Sequence, residues 1–293
     1  MGKILVIGSL NIDMVMKVDH MPAAGETILC DGMKLVVGGK GANQACAAGR
    51  LGTDVSMLGA IGNDSHGEMQ RESLRQSGVD LSGLITKESV STGTAFITVN
   101  KEGKNSIVVV QGANARFTPE DIEAHRDLLE ECEIVILQLE IPMDTVLYAV
   151  KLARTLGKTV ILDPAPVPEH FPEELYQYVD IIKPNESELS RLTGIADAQN
   201  HLEEAVQIVK DRGVKNVLVT LGGDGVYLDT ENEPPVHIPA KKVEVVDTTA
   251  AGDSFTAALA AMLLEGKTLK EAAEFANQVS AIVVTREGAQ DSI

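Results

Sequence analysis

The chain has 293 residues, 44% of them apolar, which is long enough to bury a large core and suits one large α/β body with a small appendage. Its 43 acidic residues against 25 basic ones leave a net charge of −18, which excludes nucleic acid and anionic membrane surfaces as partners but leaves room for a phosphate ligand held by local dipoles. Three scattered cysteines without a C-x-x-C pair, and six histidines without H-x-x-x-H spacing or a Ser/His/Asp order, exclude a zinc site, a disulfide framework and a serine hydrolase; a reducing, cytoplasmic setting fits.

In chain order, Ile4 to Ile7 is a continuous apolar run ending at Gly8, read as a central strand buried on both faces and too short for a signal peptide. No later stretch approaches the ~18 apolar residues that span a bilayer. In Gly8-Ser9-Leu10-Asn11-Ile12-Asp13, Asn11 and Asp13 alternate, so an extended segment puts both on one face to grip hydroxyls; an Asx turn is the alternative. Met14 to Val18, Lys34 to Val37, Thr94 to Val99 and Ser106 to Val110 do not alternate with helices, and the last two flank a turn at residues 100–105. They are expected to form a small antiparallel sheet, inserted at about 12–38 and 94–110, that lids the α/β body.

Between these strands, Gly38-Gly39-Lys40-Gly41-Ala42-Asn43-Gln44-Ala45 opens a helix running through Ala48 to Leu51 and Gly52. It is neither a Walker A loop nor G-x-G-x-x-G, because no Ser or Thr follows Lys40 and Gln44 takes the last glycine position. Ala60 to Gly67 precedes a helix over Glu68 to Ser77, and His66 reads as a surface residue. Strands at Ile134 to Leu139, Thr159 to Leu162, Ile181 to Ile182 and Asn216 to Thr220 then alternate with helices such as Met143 to Leu156 and Leu202 to Arg212, the pattern of a parallel sheet. Ligands in such sheets bind beyond the carboxyl ends of the strands, where Glu140, Asp163, Asn185 and the glycine loop Gly222-Gly223-Asp224-Gly225 fall.

Val243 to Val246 alternates like the end of a strand, and Thr256 to Leu264 has helical spacing, so Asp247 to Phe255 is a strand-to-helix turn. Its Ala250-Ala251-Gly252 tract leaves backbone N–H groups open to an anion, and Asp253 stands beside them as a base; Asp253 and Thr249 as plain helix caps is the alternative. A base beside an anion seat points to phosphoryl transfer.

This turn resembles the D-T-x-A-G-D signature of the PfkB sugar-kinase family, in its ribokinase branch. Six further motifs are similar to that family in the same order: G-S-x-N-x-D at Gly8, G-G-K-G-A-N-Q-A at Gly38, the segments at Ala60, Gln138 and Lys183, and T-R-x-G-A-Q-x-S at Thr285. The resemblance implies a ribokinase-like three-layer fold with a mainly parallel central sheet and a β lid. It implies transfer of the γ-phosphoryl group of ATP to the 5-hydroxyl of D-ribose, with Asp253 as catalytic base and Ala250, Ala251 and Gly252 as anion hole. Asn11, Asp13, Gly39, Lys40, Asn43 and Glu140 would contact the sugar. Asn185 and Glu188, acting on Mg²⁺ and phosphate through water, would serve ATP with Thr220, Gly222, Gly225 and Asn277. K⁺ would be held by Asp247, Thr249, Val283, Arg286, Gly288 and Ser292, several through backbone oxygen, and two chains would pair through their lids as a homodimer. The sequence departs from the pattern at Asp163, where the family has asparagine before Pro-Ala-Pro, and at Ile293, where a last helix of some relatives is expected to be missing. A fructose or nucleoside kinase is the nearest alternative, the nucleoside disfavoured by 3% aromatic content. A non-catalytic sugar- or nucleotide-binding regulator is a further one, against which an intact Asp253 turn argues.

Overall fold

Ile4, Leu5, Val6 and Ile7 are all fully buried, as a strand with helices on both faces requires, and they sort by alternation into two cores. The computed structural model describes residues 2–293. In chain order its strands are β1 (Ile4–Ile7), β2 (Asn11–Lys17), β3 (Met33–Gly38), β4 (Val55–Gly62), β5 (Leu84–Lys87), β6 (Gly93–Val99), β7 (Asn105–Val110), β8 (Ile134–Leu137), β9 (Thr159–Leu162), β10 (Ile181–Ile182), β11 (Asn216–Thr220), β12 (Val226–Asp229) and β13 (Val236–Ile238). The helices are α1 (Lys40–Arg50), α2 (Ser65–Gln76), α3 (Pro119–Ala124), α4 (Arg126–Glu131), α5 (Met143–Thr155), α6 (Glu186–Thr193), α7 (Leu202–Asp211), α8 (Ala251–Leu264) and α9 (Leu269–Val283).

Nine strands form the central sheet in the order β13-β12-β11-β10-β9-β8-β1-β4-β5. Pairing is parallel from β11 through to β5, and antiparallel for β11–β12 and β12–β13. Leu5 and Ile7 join α3 to α7 in one core, while Ile4 and Val6 join α1, α2, α8 and α9 in the other, giving three layers.

The second sheet has the order β3-β2-β6-β7. Its outer pairs, β2–β3 and β6–β7, are antiparallel, whereas the central β2–β6 pair is parallel with Asn11 opposite Gly93. The parallel pair follows from connectivity: β2 follows β1 and β6 follows β5, two parallel strands of the body, so both leave its carboxyl edge in the same direction.

Several boundaries differ from expectation: β8 ends at Leu137 and not at Leu139, and two further differences have a clear cause. Helix α2 begins three residues before Glu68 because Asp64 caps it, its side chain accepting from the Gly67 N–H at 2.9 Å. Val243 to Val246 is not a strand: Val245 and Val246 are 59% and 60% exposed and no neighbouring strand pairs with them. Val246 is tied instead to α9, its N–H donating to the Val284 carbonyl at 2.8 Å. An alternating pattern makes a strand only where an edge is free to receive it.

Candidate active site

A cavity of about 2180 Å³ lies between the carboxyl ends of the body strands and the inner face of the lid. That exceeds the roughly 300–1,000 Å³ of a single small-molecule site, so two ligands fit end to end. One half is bounded by β2, β3, β6 and the start of α1, the other by the ends of β10 and β11, the Val243 to Val246 segment and α9.

In the lid-side half, Asn11 and Asp13 face the cavity from alternate positions of β2, as an extended strand dictates. Asn11 is locked by the Asn114 amide, which donates to its Oδ1 at 2.8 Å. Gly39 has φ +89°, and a Cβ there would lie 2.6 Å from the Asn11 nitrogen, so only glycine lets α1 start against β2. Glu140 Oε2 accepts from Ser9 Oγ at 2.5 Å and from the Lys40 N–H at 3.1 Å. Burial, with the charges of Glu140 and Asp253 adding to it, pushes the Asp13 carboxyl up to about 6. Burial opposes charge on Lys40, but Asp253, Asp163, Glu140 and Glu188 outweigh it and hold the ammonium protonated more firmly than usual.

Between the halves stands the start of α8. Ala250 adopts φ 61°, a left-handed conformation uncommon outside glycine, and this aims the first amides of α8 into the cavity. The first intrahelical bond is Ser254 N–H to the Ala250 carbonyl at 2.9 Å, so the amides of Gly252 and Asp253 have no acceptor among the described residues. The Ala251 N–H is partly engaged by the Thr248 carbonyl at 3.3 Å, whereas the Ala250 N–H, like those of Gly252 and Asp253, has no acceptor among the described residues. Asp253, buried, accepts from Asn43 Nδ2 at 2.9 Å and from Gln44 Nε2 at 3.0 Å. Burial raises its carboxyl pKa; the Lys40 charge pulls against this, Asp163 reinforces it, and the two amide donors lower it.

Sequence reasoning missed part of this network. Gln44, noted only as breaking a glycine pattern, donates to Asp163 Oδ2 at 2.9 Å as well as to Asp253, and its own oxygen accepts from Gln138 at 2.6 Å. Asp163 is buried and forms an ion pair at 3.2 Å with the equally buried Lys183, so the extra carboxylate is neutralised. The signal was available: an unexpected acid at 163 calls for a cation, and Lys183 directly follows the adjacent strand.

In the other half, Asn185 caps α6, accepting from the Glu188 N–H at 2.8 Å, while Glu188 Oε2 accepts from the Asn185 N–H at 2.8 Å. Burial and Asp163 raise the Glu188 carboxyl pKa, with Lys183 opposing. Thr220, Gly222, Gly225 and Asn277 all line the cavity, and Asn277 Nδ2 donates to the Pro239 carbonyl at 2.9 Å, pinning the segment that leads to Val243. Asp247 joins two loops: Oδ1 accepts from the Thr249 N–H and Oγ at 2.9 and 2.6 Å, and Oδ2 from the Gly288 N–H at 3.0 Å. Three other residues expected there are engaged elsewhere. The Val283 carbonyl accepts from the Arg286 N–H at 3.0 Å, and the Ser292 carbonyl faces the Arg286 guanidinium at 3.2 Å. Among the described residues no group of three or more His, Cys, Asp or Glu side chains can hold a metal.

Comparison with known proteins accords with this geometry. The family model described as pfkB family carbohydrate kinase matches residues 1–293. The chain is 38% identical over 295 residues to ribokinase of Staphylococcus aureus, covering 100% of this chain and 96% of that protein. It is 35% identical over 290 residues to deoxyribokinase of Salmonella typhi, covering 99% and 94%. With the bifunctional ribokinase/ribose-5-phosphate isomerase A of Fructilactobacillus sanfranciscensis it shares 41% identity over 297 residues, spanning 100% of this chain but only 54% of the relative. The structure of Arabidopsis thaliana ribokinase complexed with ribose and ATP superposes with a TM-score of 0.94 at 36% identity, covering 100% of this chain and 95% of that one. A lidded three-layer body, a buried acid beside open helix amides and a family match over the whole length converge: the chain belongs to the pfkB family of carbohydrate kinases.

Proposed function

We propose that the chain is an ATP-dependent ribokinase, transferring the γ-phosphoryl group of ATP to the 5-hydroxyl of D-ribose. The observation that carries this reading is Asp253, buried beside open amides where the two halves of one cavity meet. Ribose occupies the lid-side half, its hydroxyls bonded by Asn11, Asp13, Asn43 and Glu140, with Gly39 allowing close approach and Lys40 supplying positive charge. ATP occupies the other half, against Thr220, Gly222, Gly225 and Asn277. Asp253 accepts the proton of the 5-hydroxyl as its oxygen forms a bond to the γ-phosphorus and the bond to the ADP oxygen breaks in line. The amides of Gly252 and Asp253 hold the charge that develops on the phosphoryl oxygens.

Closing of the lid removes water that would hydrolyse ATP. The unspent oxygen of Glu188 and the Asn185 side chain suit Mg²⁺ held through water, as an ion that keeps its own hydration requires; it would neutralise phosphate charge. Asp247, Thr249 and Gly288 suit a K⁺ site linking the two loops, whereas the Ser292 carbonyl, facing a guanidinium, suits it poorly. The apolar lid edge, with Ile107, Val108 and Val109 at 52%, 63% and 51% exposure, supports a homodimer through the lids. Free cysteines suit a cytoplasmic setting, and among the described residues no helix is long and apolar enough to cross a membrane.

A deoxyribokinase is the second reading, favoured by the Salmonella relative. A nucleoside is disfavoured because, among the described residues, the one aromatic residue lining the cavity is Phe255, which is packed into the core and not free to stack a base. ADP release across ribose, 2-deoxyribose, fructose and adenosine decides among them. Ribose should have the highest kcat/KM, and 2-deoxyribose should be clearly poorer because buried acceptors lose a partner. A preference for deoxyribose would replace the first reading by the second. Asp253→Asn should cut kcat by at least about 10²-fold with substrate binding retained; turnover within a few-fold of the parent would remove Asp253 from the base role.

A further inference from the structure

Lys183 directly follows β10 on the cavity wall and is 3% exposed. Its only ionic partner among the described residues is Asp163 Oδ1 at 3.2 Å, an approach not aligned as a hydrogen bond, so the ammonium hydrogens remain free for an acceptor in the cavity. A Cβ built on Gly252 would stand 3.3 Å from its nitrogen, so the bare glycine keeps the ammonium against the open amide end of α8. A buried ion pair contributes little to stability by itself, because desolvating both charges cancels most of their attraction. Its position on the wall of a phosphoryl-transfer cavity therefore calls for a functional account.

We propose that Lys183 is a further catalytic residue whose ammonium contacts the transferred phosphoryl group, and that Asp163 is the positioning residue that aims it. Asp163 is suited to this because its other oxygen is fixed by Gln44 Nε2 at 2.9 Å, and the same nitrogen holds Asp253 at 3.0 Å. One amide thereby sets the base and, through Asp163, the cation in a single geometry. As the oxygen–phosphorus bond to the sugar forms and the bond to ADP breaks, charge on the phosphoryl oxygens meets both the Gly252 and Asp253 amides and Lys183. No proton leaves the lysine. This inference rests on the kinase reading above and deepens it.

The rival is that Lys183 only neutralises a buried acid, and a double-variant comparison separates the two. Ribose-dependent ADP release and thermal unfolding are measured for the parent, Lys183→Met, Lys183→Arg, Asp163→Asn and Lys183→Met/Asp163→Asn. Loss of one preorganised donor should lower kcat about 10²-fold in Lys183→Met, with KM for ribose changed by less than about threefold. The double variant, which leaves no unpaired charge and so folds even where the single Met variant does not, should stay equally slow. Lys183→Arg should recover part of the loss, and Asp163→Asn should lower kcat with little change in KM for ribose. A double variant that folds and regains kcat within about threefold of the parent overturns the proposal and assigns Lys183 to charge neutralisation alone. A parent without ribose-dependent ADP release would overturn the kinase reading itself, which distinguishes the two failures.

Discussion

Asp13 and Glu140 in the lid-side half and Asp253 at its border bring three carboxylates together, and the consequence is legible in Asp13, pushed from 3.8 up to about 6 by burial and by the charges of the other two. Its two pH effects have opposite signs. Between 3.8 and about 6 the folded chain holds a proton that the unfolded chain has released, so the stability contributed by Asp13 is full below 3.8 and is lost as pH rises through about 6. Sugar binding needs the ionised acceptor, so KM for ribose should rise as pH falls below about 6. A KM profile from pH 5 to 8 checks this; Asp13→Asn should weaken binding throughout and flatten the step, and a step that persists in that variant would belong to another group.

At the scale of elements, capping boxes start α3, α6 and α9, and the last two stand in different settings. Asn185 and Glu188 start α6 at the cavity, whereas Thr268 and Glu271 start α9 on the exposed surface, the Thr268 N–H donating to Glu271 Oε2 at 2.9 Å. Each cap contributes about 1 kcal/mol by satisfying an orphan amide. Thr268→Ala should therefore lower the unfolding free energy by that amount, read as a lower urea midpoint at unchanged m, with kinetics unchanged. Asn185→Ala should have a similar stability cost and, in addition, raise KM for ATP several-fold. Equal kinetics for the two variants would reduce Asn185 to a cap.

For the whole molecule, the loops at Asp247 to Thr249 and Val283 to Gly288 meet through Asp247, whose carboxyl is held below its ordinary range because hydrogen bonds from Thr249 and Gly288 outweigh its partial burial. Because this junction precedes the Ala250 turn, anything that stiffens it stiffens the open amides. Replacing Na⁺ by K⁺ at constant ionic strength should raise activity, the larger ion suiting carbonyl oxygens, and Asp247→Ala should abolish the difference; equal parent rates in both salts would count against the site. The lid makes a separate prediction. Its edge strand β7 runs Asn105-Ser106-Ile107-Val108-Val109-Val110 with every residue exposed, an unpaired edge that invites another chain. Light scattering should find a dimer, and Ile107→Lys/Val109→Lys should give a monomer with weakened lid closure, read as a raised KM for ribose.

Much of this was legible from the sequence because the deciding physics is local. Continuous apolar runs marked β1, β9, β10 and β11 at their observed limits, and the glycines around Lys40 and the small residues before Asp253 marked where backbone lines the cavity. The tertiary structure decided what depends on distant partners. The β2–β6 pair is parallel because of where two body strands end, and Val243 to Val246 stays unpaired because no strand edge faces it. The network around Asp253 was likewise hidden, since Asn43 and Asp253 stand 210 positions apart and Gln44 and Asp163 stand 119 apart. Residue spacing along one element reports which face a side chain takes; which charge it meets across the sheet is settled only when the chain closes.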